Sequence, residues 1–558
     1  MRFSDIPYKR PDLDAIIAEY ADLARKTKGA ASFDEVKACV DRHEKLLSLF
    51  QTEATVAHIR KTVDTTDEFY KAENDFFDER GPEFDNAVKA FYSALYECPF
   101  PDEARSEYGE LIFKKMELEL KQFDPAIIPD LQEENALITR YDNLVASAKI
   151  PFRGGVYNVS QLAKFKQDPD RQTRREAYEA EGGFYASHKE ELDEIYDSLV
   201  KKRTEIARKL GYSSFTDVGY LRNLRTCYGP ADVRSFRDRV VRDIVPVVRK
   251  LKENQAKRIG ITDGMKFWDD VCLFREGNPA PSSDANEVLA AGKRMYEEMS
   301  PETREFIDFM FENEMFDVVA KPGKQVGGYC TDLIEYESPF IFSNFNGTSD
   351  DVEVLTHEAG HAFASYMSNP IKLIEMKCPA MESAETHSMS MEFFSWKWYD
   401  LYYGDDAQRA KLAHLSGCLS FLPYGCLVDE FQHVMYDRPE LTPDERNEVW
   451  LGLEKKYRPW IDFDALPFYS AGSGWQRQLH IFECPFYYID YVLAQTVALL
   501  FWDLSQKDFE DAWKRYLAFV KCGGTLDFKG LLREARLPDP FTSDALGDVA
   551  NTAMKFID

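Results

Sequence analysis

The sequence predicts a mainly α-helical protein with one small β element, and three observations carry that prediction. Apolar residues recur at helical spacing along most of the chain. Strand-like stretches are few and short, one near Gly154–Val159 and one between Gly327 and Phe345. The 558 residues, 44% hydrophobic and 14% aromatic, supply more core than one ordinary domain holds, so two or three lobes are expected.

Taken in order, Leu13, Ile16, Ile17, Tyr20 and Leu23 repeat on one helical face after Pro11-Asp12, a helix-start signal. Ser32-Phe33-Asp34-Glu35 has the capping-box pattern and predicts the opening of the next helix. Amphipathic patterns follow over 180–210 and 230–257. A lobe boundary is expected between the glycines at 154–155 and those at 182–183, giving a helical lobe over 1–185 and a larger domain over 186–558. The clearest β stretch runs from Gly327-Gly328-Tyr329-Cys330 through Phe340-Ile341-Phe342-Ser343-Asn344-Phe345 and stops at Asn346-Gly347.

Charge narrows the function classes. With 69 Lys and Arg against 97 Asp and Glu, the formal net charge is −28. Nucleic acids and anionic membranes both require a basic footprint, so neither is an expected partner. The start, Met1 to Asp12, has no signal-type apolar segment, and no run of about 18 apolar residues occurs. Ten scattered cysteines without a Cys-x-x-Cys pair read as reduced thiols in a cytoplasm.

The stretch that carries chemistry is Val354-Leu355-Thr356-His357-Glu358-Ala359-Gly360-His361-Ala362-Phe363. Thr348-Ser349-Asp350-Asp351 supplies N-cap candidates, so a helix is expected from Val352 past Phe363. On a helix His357 and His361 lie one turn apart on one face, a spacing that suits one Zn²⁺. Glu358 sits about 100° round from His357 and is free to act as a base rather than a ligand. The flanks are apolar nearly all round, and burying two imidazoles and a carboxylate without a partner is costly. A metal removes that cost.

A catalytic zinc needs a third protein ligand and an open position. Downstream, Glu382, Glu385, Met389 and Glu392 share one face of a predicted helix, while His387 points elsewhere. Spacing alone leaves Glu382 and Glu385 both open as the third ligand.

His357-Glu358-Ala359-Gly360-His361 followed by Glu385-Thr386-His387-Ser388-Met389-Ser390-Met391-Glu392 resembles the zinc oligopeptidases of the thimet oligopeptidase / oligoendopeptidase F family, and most closely the oligoendopeptidase F and Pz-peptidase branch. The resemblance implies Glu385 as the third zinc ligand and Glu392 as a carboxylate behind the ligands. It implies that Phe340–Thr348 is an edge strand able to pair with a peptide, with Gly328, Tyr329, Phe342 and Asn344 at the substrate wall. It further implies substrate and oxyanion contacts from His480, Tyr491 and one of Tyr487 and Tyr488, since thimet-type spacing selects Tyr488 and oligoendopeptidase-type spacing selects Tyr487. The implied fold is two helical lobes around a deep substrate channel, with the small sheet beside the zinc helix.

The expected activity is zinc-dependent endopeptidase cleavage of short, unstructured oligopeptides in the cytoplasm. Water takes the fourth metal position, Glu358 is the general base, and His480, Tyr488 and Tyr491 donate to the oxyanion. The rival readings are a peptide-binding protein of the same fold, which has no need of Glu358, and a dipeptidyl carboxypeptidase, which needs a cationic pocket for the peptide C-terminus. A structural zinc protein needs four protein ligands, and no cysteines lie near the motif. The sequence carries no signal for oligomeric state.

Overall fold

The computed structural model describes residues 1–281, 284–345 and 347–557. It is mainly helical with two small sheets. The chain forms two compact units, each assembled from three segments: 1–120, 280–407 and 504–537 in the first, 121–279, 408–503 and 538–558 in the second. A single cut at 185, as expected from the glycines, falls inside the helix Arg171–Ser187 of the second unit. Segments distant in sequence close each unit, so no linker composition marks the divisions.

The first unit opens with the helices Leu13–Lys28, Phe33–Val63 and Glu68–Tyr96. Asp12 caps the first by accepting from the Ala15 N–H, and Leu13, Ile16, Tyr20 and Leu23 are buried as the spacing predicts. The expected capping box at Ser32 is not made. Ser32 stands at the N-cap without a side-chain bond, and Glu35 instead accepts from the Ala31 N–H at 2.9 Å. These helices share one core, in which the Phe50 and Phe84 rings stack 3.7 Å apart.

The first unit also holds a three-stranded sheet of β3 (Phe316–Val319), β4 (Tyr329–Leu333) and β5 (Ser338–Phe345), numbered after the β1–β2 hairpin (Ile150–Phe152 and Gly155–Tyr157) of the second unit. Its order is β3-β5-β4, with β5 parallel to β3 and antiparallel to β4. β5 is therefore the central strand, which corrects the expectation that Phe340–Thr348 forms an edge. The free edges belong to β3 and β4. Asn346, predicted to end the strand, lies outside the described residues.

After β5 the chain enters the helix Ser349–Ser368, and Met381–Phe394 crosses it. The helix Phe509–Lys521 returns to cover both. Trp513 packs on Phe363 and Phe394, and the Tyr516 hydroxyl donates to the His387 carbonyl at 2.9 Å.

The second unit is built on long helices including Ile128–Ala146, Lys189–Lys209 and Tyr488–Ser505. Its core holds buried ion pairs: Arg203 with Glu134 at 2.6 Å, and Arg225 with Asp490 at 2.7 Å. The ten cysteines are free thiols. Among the described residues no helix is long and apolar enough to cross a membrane.

Candidate active site

The helix Ser349–Ser368 positions the motif. Its N-cap is Thr348, and Asp351 accepts from the Gly347 N–H at 2.7 Å, closing the turn out of β5. Val352, Leu355, Ala359, Ala362 and Phe363 are buried, so the helix is pinned on its apolar faces. His357 and His361 project from the remaining face, about a quarter exposed, with their ring planes at 81° and centroids 5.0 Å apart.

Glu385 reaches them from the crossing helix. Its Oε2 lies 3.5 Å from His357 Nε2 and 3.6 Å from His361 Nε2. The three ligand atoms fall within 4.8 Å of one another. Glu392, seven residues on, lies 2.7 Å from His357 Nδ1. A carboxylate there accepts the Nδ1–H and leaves the Nε2 lone pair facing the other donors.

Gly360 makes this convergence possible. A Cβ there would lie 2.6 Å from Ser388 Cα and 3.1 Å from the His387 carbonyl oxygen. Only a glycine lets the two helices approach closely enough for one carboxylate to face both imidazoles. Of the two carboxylates that spacing left open, it is Glu385 that meets the histidines. Glu382 is buried in the first turn of its helix. His387 is buried edge-on to Phe519, its pKa pushed down to about 3 by burial, and its Nε2 has no hydrogen-bond partner among the described residues.

The electrostatics suit a cation. Burial opposes charging His357, but Glu385 and Glu392 overcome it and hold its pKa well above the usual imidazole value. Burial likewise works against ionising Glu385, yet His357 and His361 hold it down to about 2. A site that draws a proton onto an imidazole between buried carboxylates also accepts a divalent ion in that proton's place. Two nitrogens and one carboxylate oxygen are the donor set of a catalytic zinc. Glu358 stands outside the set. Burial raises its pKa, opposed by His357 and His361, and it accepts a hydrogen bond from the Cys330 amide of β4.

The predicted substrate wall divides. Tyr329 is partly exposed, its hydroxyl 2.6 Å from Thr62 Oγ1. Phe342, by contrast, is fully buried, stacked on Tyr329 at 4.8 Å with the Lys324 ammonium 4.6 Å from its centroid. It is a core residue that backs the wall rather than facing it. Asn344 donates to the Gln325 and Gly327 carbonyls at 2.7 and 2.9 Å, so it ties down the loop that presents Gly328.

The remaining predicted residues cluster in the second unit. The His480 ring lies parallel to Tyr487 at 6.0 Å and edge-on to Tyr488 and Tyr491 at 4.9 and 5.9 Å. The three tyrosines are half-buried, while Ile489, Asp490, Val492 and Leu493 between and behind them are core. Phe486 sets the entry to this helix. Its backbone takes a φ of 67°, its amide donates to Gln432, and Arg225 holds its carbonyl. Its ring fills the space at Gly219, where a Cβ would come within 2.3 Å. Burial lowers the His480 pKa, so its imidazole is neutral near pH 7. Gln478, two residues before it, carries no signal in the sequence, because one amide among polar neighbours has no pattern of its own.

Residues 3–123 match the peptidase M3 N-terminal domain and residues 164–550 match peptidase family M3. The chain belongs to peptidase family M3. It is a metallo-oligopeptidase, similar in fold to a solved structure described as PZ peptidase A with inhibitor 2, at a TM-score of 0.90 and 44% identity over 100% of this chain and 99% of that one. It is also similar to oligopeptidase PepF of Bacillus subtilis (strain 168), 21% identical over 90% of this chain and 77% of the relative. A third relative is the plasmid oligoendopeptidase F of Lactococcus lactis subsp. cremoris, 22% identical over 66% of this chain and 60% of the relative.

Proposed function

We propose that this peptidase is a zinc-dependent endopeptidase that hydrolyses internal bonds of short, unstructured oligopeptides. The observation that carries the proposal is the convergence of His357 Nε2, His361 Nε2 and Glu385 Oε2, with Glu358 beside them but outside the set. These three residues would hold the metal. Zinc, when bound there, supplies a Lewis acid for the scissile carbonyl and lowers the pKa of a neighbouring water to about 7.

The protein's own groups do the rest. Glu358 accepts the water proton and returns it to the leaving amine, and burial moves its pKa toward the neutral range where one group serves both steps. Glu392 fixes the His357 ring through Nδ1. The free edge of β4, with Gly328 and Tyr329, offers main-chain pairing to an extended peptide. The family resemblance assigns the substrate and oxyanion contacts to His480, Tyr491 and one of Tyr487 and Tyr488. Each well-placed donor is worth about 3–4 kcal/mol in the transition state. A cytoplasmic setting, where ten free thiols persist, completes the proposal.

The test is hydrolysis of a pool of short peptides, each free and C-terminally amidated, with a chelator added and zinc then returned. Internal cuts in both forms, lost to the chelator and restored by zinc, are expected. Cuts confined to free C-termini would make it a dipeptidyl carboxypeptidase. Binding without cleavage would make it a peptide-binding protein and overturn the catalytic roles.

A further inference from the structure

His480 Nδ1 lies 2.9 Å from Gln478 Nε2. At the other end of that amide, the Tyr424 hydroxyl donates to Gln478 Oε1 at 2.8 Å. We propose that Gln478 is a positioning residue: its NH₂ group donates to His480 Nδ1, so that the neutral ring carries its proton on Nε2 and presents a hydrogen-bond donor. The proposal rests on reading His480 as a substrate or oxyanion contact, as above.

An amide can turn over, so something must hold its sense. Turned over, its Oε1 would accept from Nδ1–H, the free Nε2 would be an acceptor, and His480 would be useless to an oxyanion. Tyr424 supplies the direction. The Arg458 guanidinium lies 4.8 Å from the Tyr424 ring centroid and is itself held by Glu454. Burial raises the Tyr424 pKa, Arg477 and Arg458 oppose it and Glu454 adds to it, so the hydroxyl keeps its proton at neutral pH. The order of control therefore runs from Tyr424 through Gln478 to the imidazole.

Tyr487, Tyr488 and Tyr491 face the ring, and Tyr424, Arg477 and Arg458 act electrostatically on Tyr488. Tyrosines ordinarily titrate near 10 and stay neutral at pH 6–8. Neither they nor the arginines favour an imidazolium, and a donor on Nδ1 opposes it directly.

The experiment is side-chain NMR of protein labelled with ¹⁵N- and ¹³C-histidine, from pH 6 to 8, with His480→Gln used to assign the signal. The wild type should show a neutral His480 protonated on Nε2 throughout. A Nδ1-protonated ring would overturn the proposal whatever the variants do. Gln478→Glu, nearly isosteric, should convert His480 to an imidazolium near neutral pH. Gln478→Met should lower kcat about 10–100-fold with KM changed less than about twofold, as is usual when a residue orienting a functional histidine is lost. If His480→Gln lowers kcat while Gln478→Met does not, the positioning role fails alone. If His480→Gln itself leaves kcat unchanged, the reading of His480 fails and this inference falls with it.

Discussion

The two candidate clusters of this peptidase are held in different ways. In the first unit a pair of crossing helices, locked at Gly360, brings His357, His361 and Glu385 together. The geometry is written into helix periodicity plus one small residue. In the second unit His480 and its tyrosines stand on a short helix, a turn at Phe486 and the start of a long helix. Their order depends on a buried ion pair and a chain of side-chain hydrogen bonds. The first arrangement is rigid by packing and the second by polar contacts, so the two should fail differently.

The comparison is tested most strongly by removing one chemical group from each cluster. Glu358→Gln should lower kcat about 10³-fold, or about 4 kcal/mol, while metal content is unchanged. His480→Ala should cost about 10²-fold, also with full metal content. Equal metal loss in both, measured by elemental analysis, would mean the clusters are not separable in this way.

Breaking the polar support comes next. Arg225→Met takes the guanidinium from the buried Asp490 carboxylate, leaving it the Tyr228 hydroxyl at 3.3 Å, and from the Phe486 carbonyl. A loss of about 3 kcal/mol in denaturant-measured stability is expected, with zinc stoichiometry intact. Breaking the packing support instead, Gly360→Ala should cost about 1–3 kcal/mol and weaken zinc affinity, because the added methyl presses on the Ser388 backbone. Unchanged zinc affinity in that variant would remove the glycine from the account of the site.

The smallest effect is a pH dependence. The His357 pKa is raised in the metal-free fold, so its contribution to stability is full below about pH 6.5 and is lost as pH rises through the folded value. Zinc requires the neutral imidazole, so its stabilisation grows with pH. The gap in Tm between zinc-loaded and metal-free protein should therefore widen from pH 6 to 8. A narrowing gap would contradict the placement of zinc on His357.

The legibility of the site follows the same division. Helical spacing exposed His357, Glu358 and His361, because all three lie within one turn and a bit of a single element. It could not choose between Glu382 and Glu385, since that choice depends on where a second helix crosses, which Gly360 and Ser388 decide. The mainly helical class and the small sheet were readable from periodicity. The central place of β5 was not, because its partner β3 is four residues long and a pairing partner leaves no mark in a strand's own sequence. Phe342 was read as substrate-facing for the same reason, and it became core once a strand closed on each side. The interleaved units are hidden because each is closed by segments that stand apart in sequence. The half-exposed tyrosines at 487, 488 and 491 resemble core by composition, and only the family pattern raised them.

The central claim is that Glu385, and not its neighbour one turn earlier, completes the metal site with His357 and His361. The most direct measurement is zinc per chain in the wild type, Glu385→Gln and Glu382→Gln after dialysis against a weak chelator. The account predicts about one zinc in the wild type and in Glu382→Gln, and almost none in Glu385→Gln. Zinc retained by Glu385→Gln, or lost from Glu382→Gln, would contradict it.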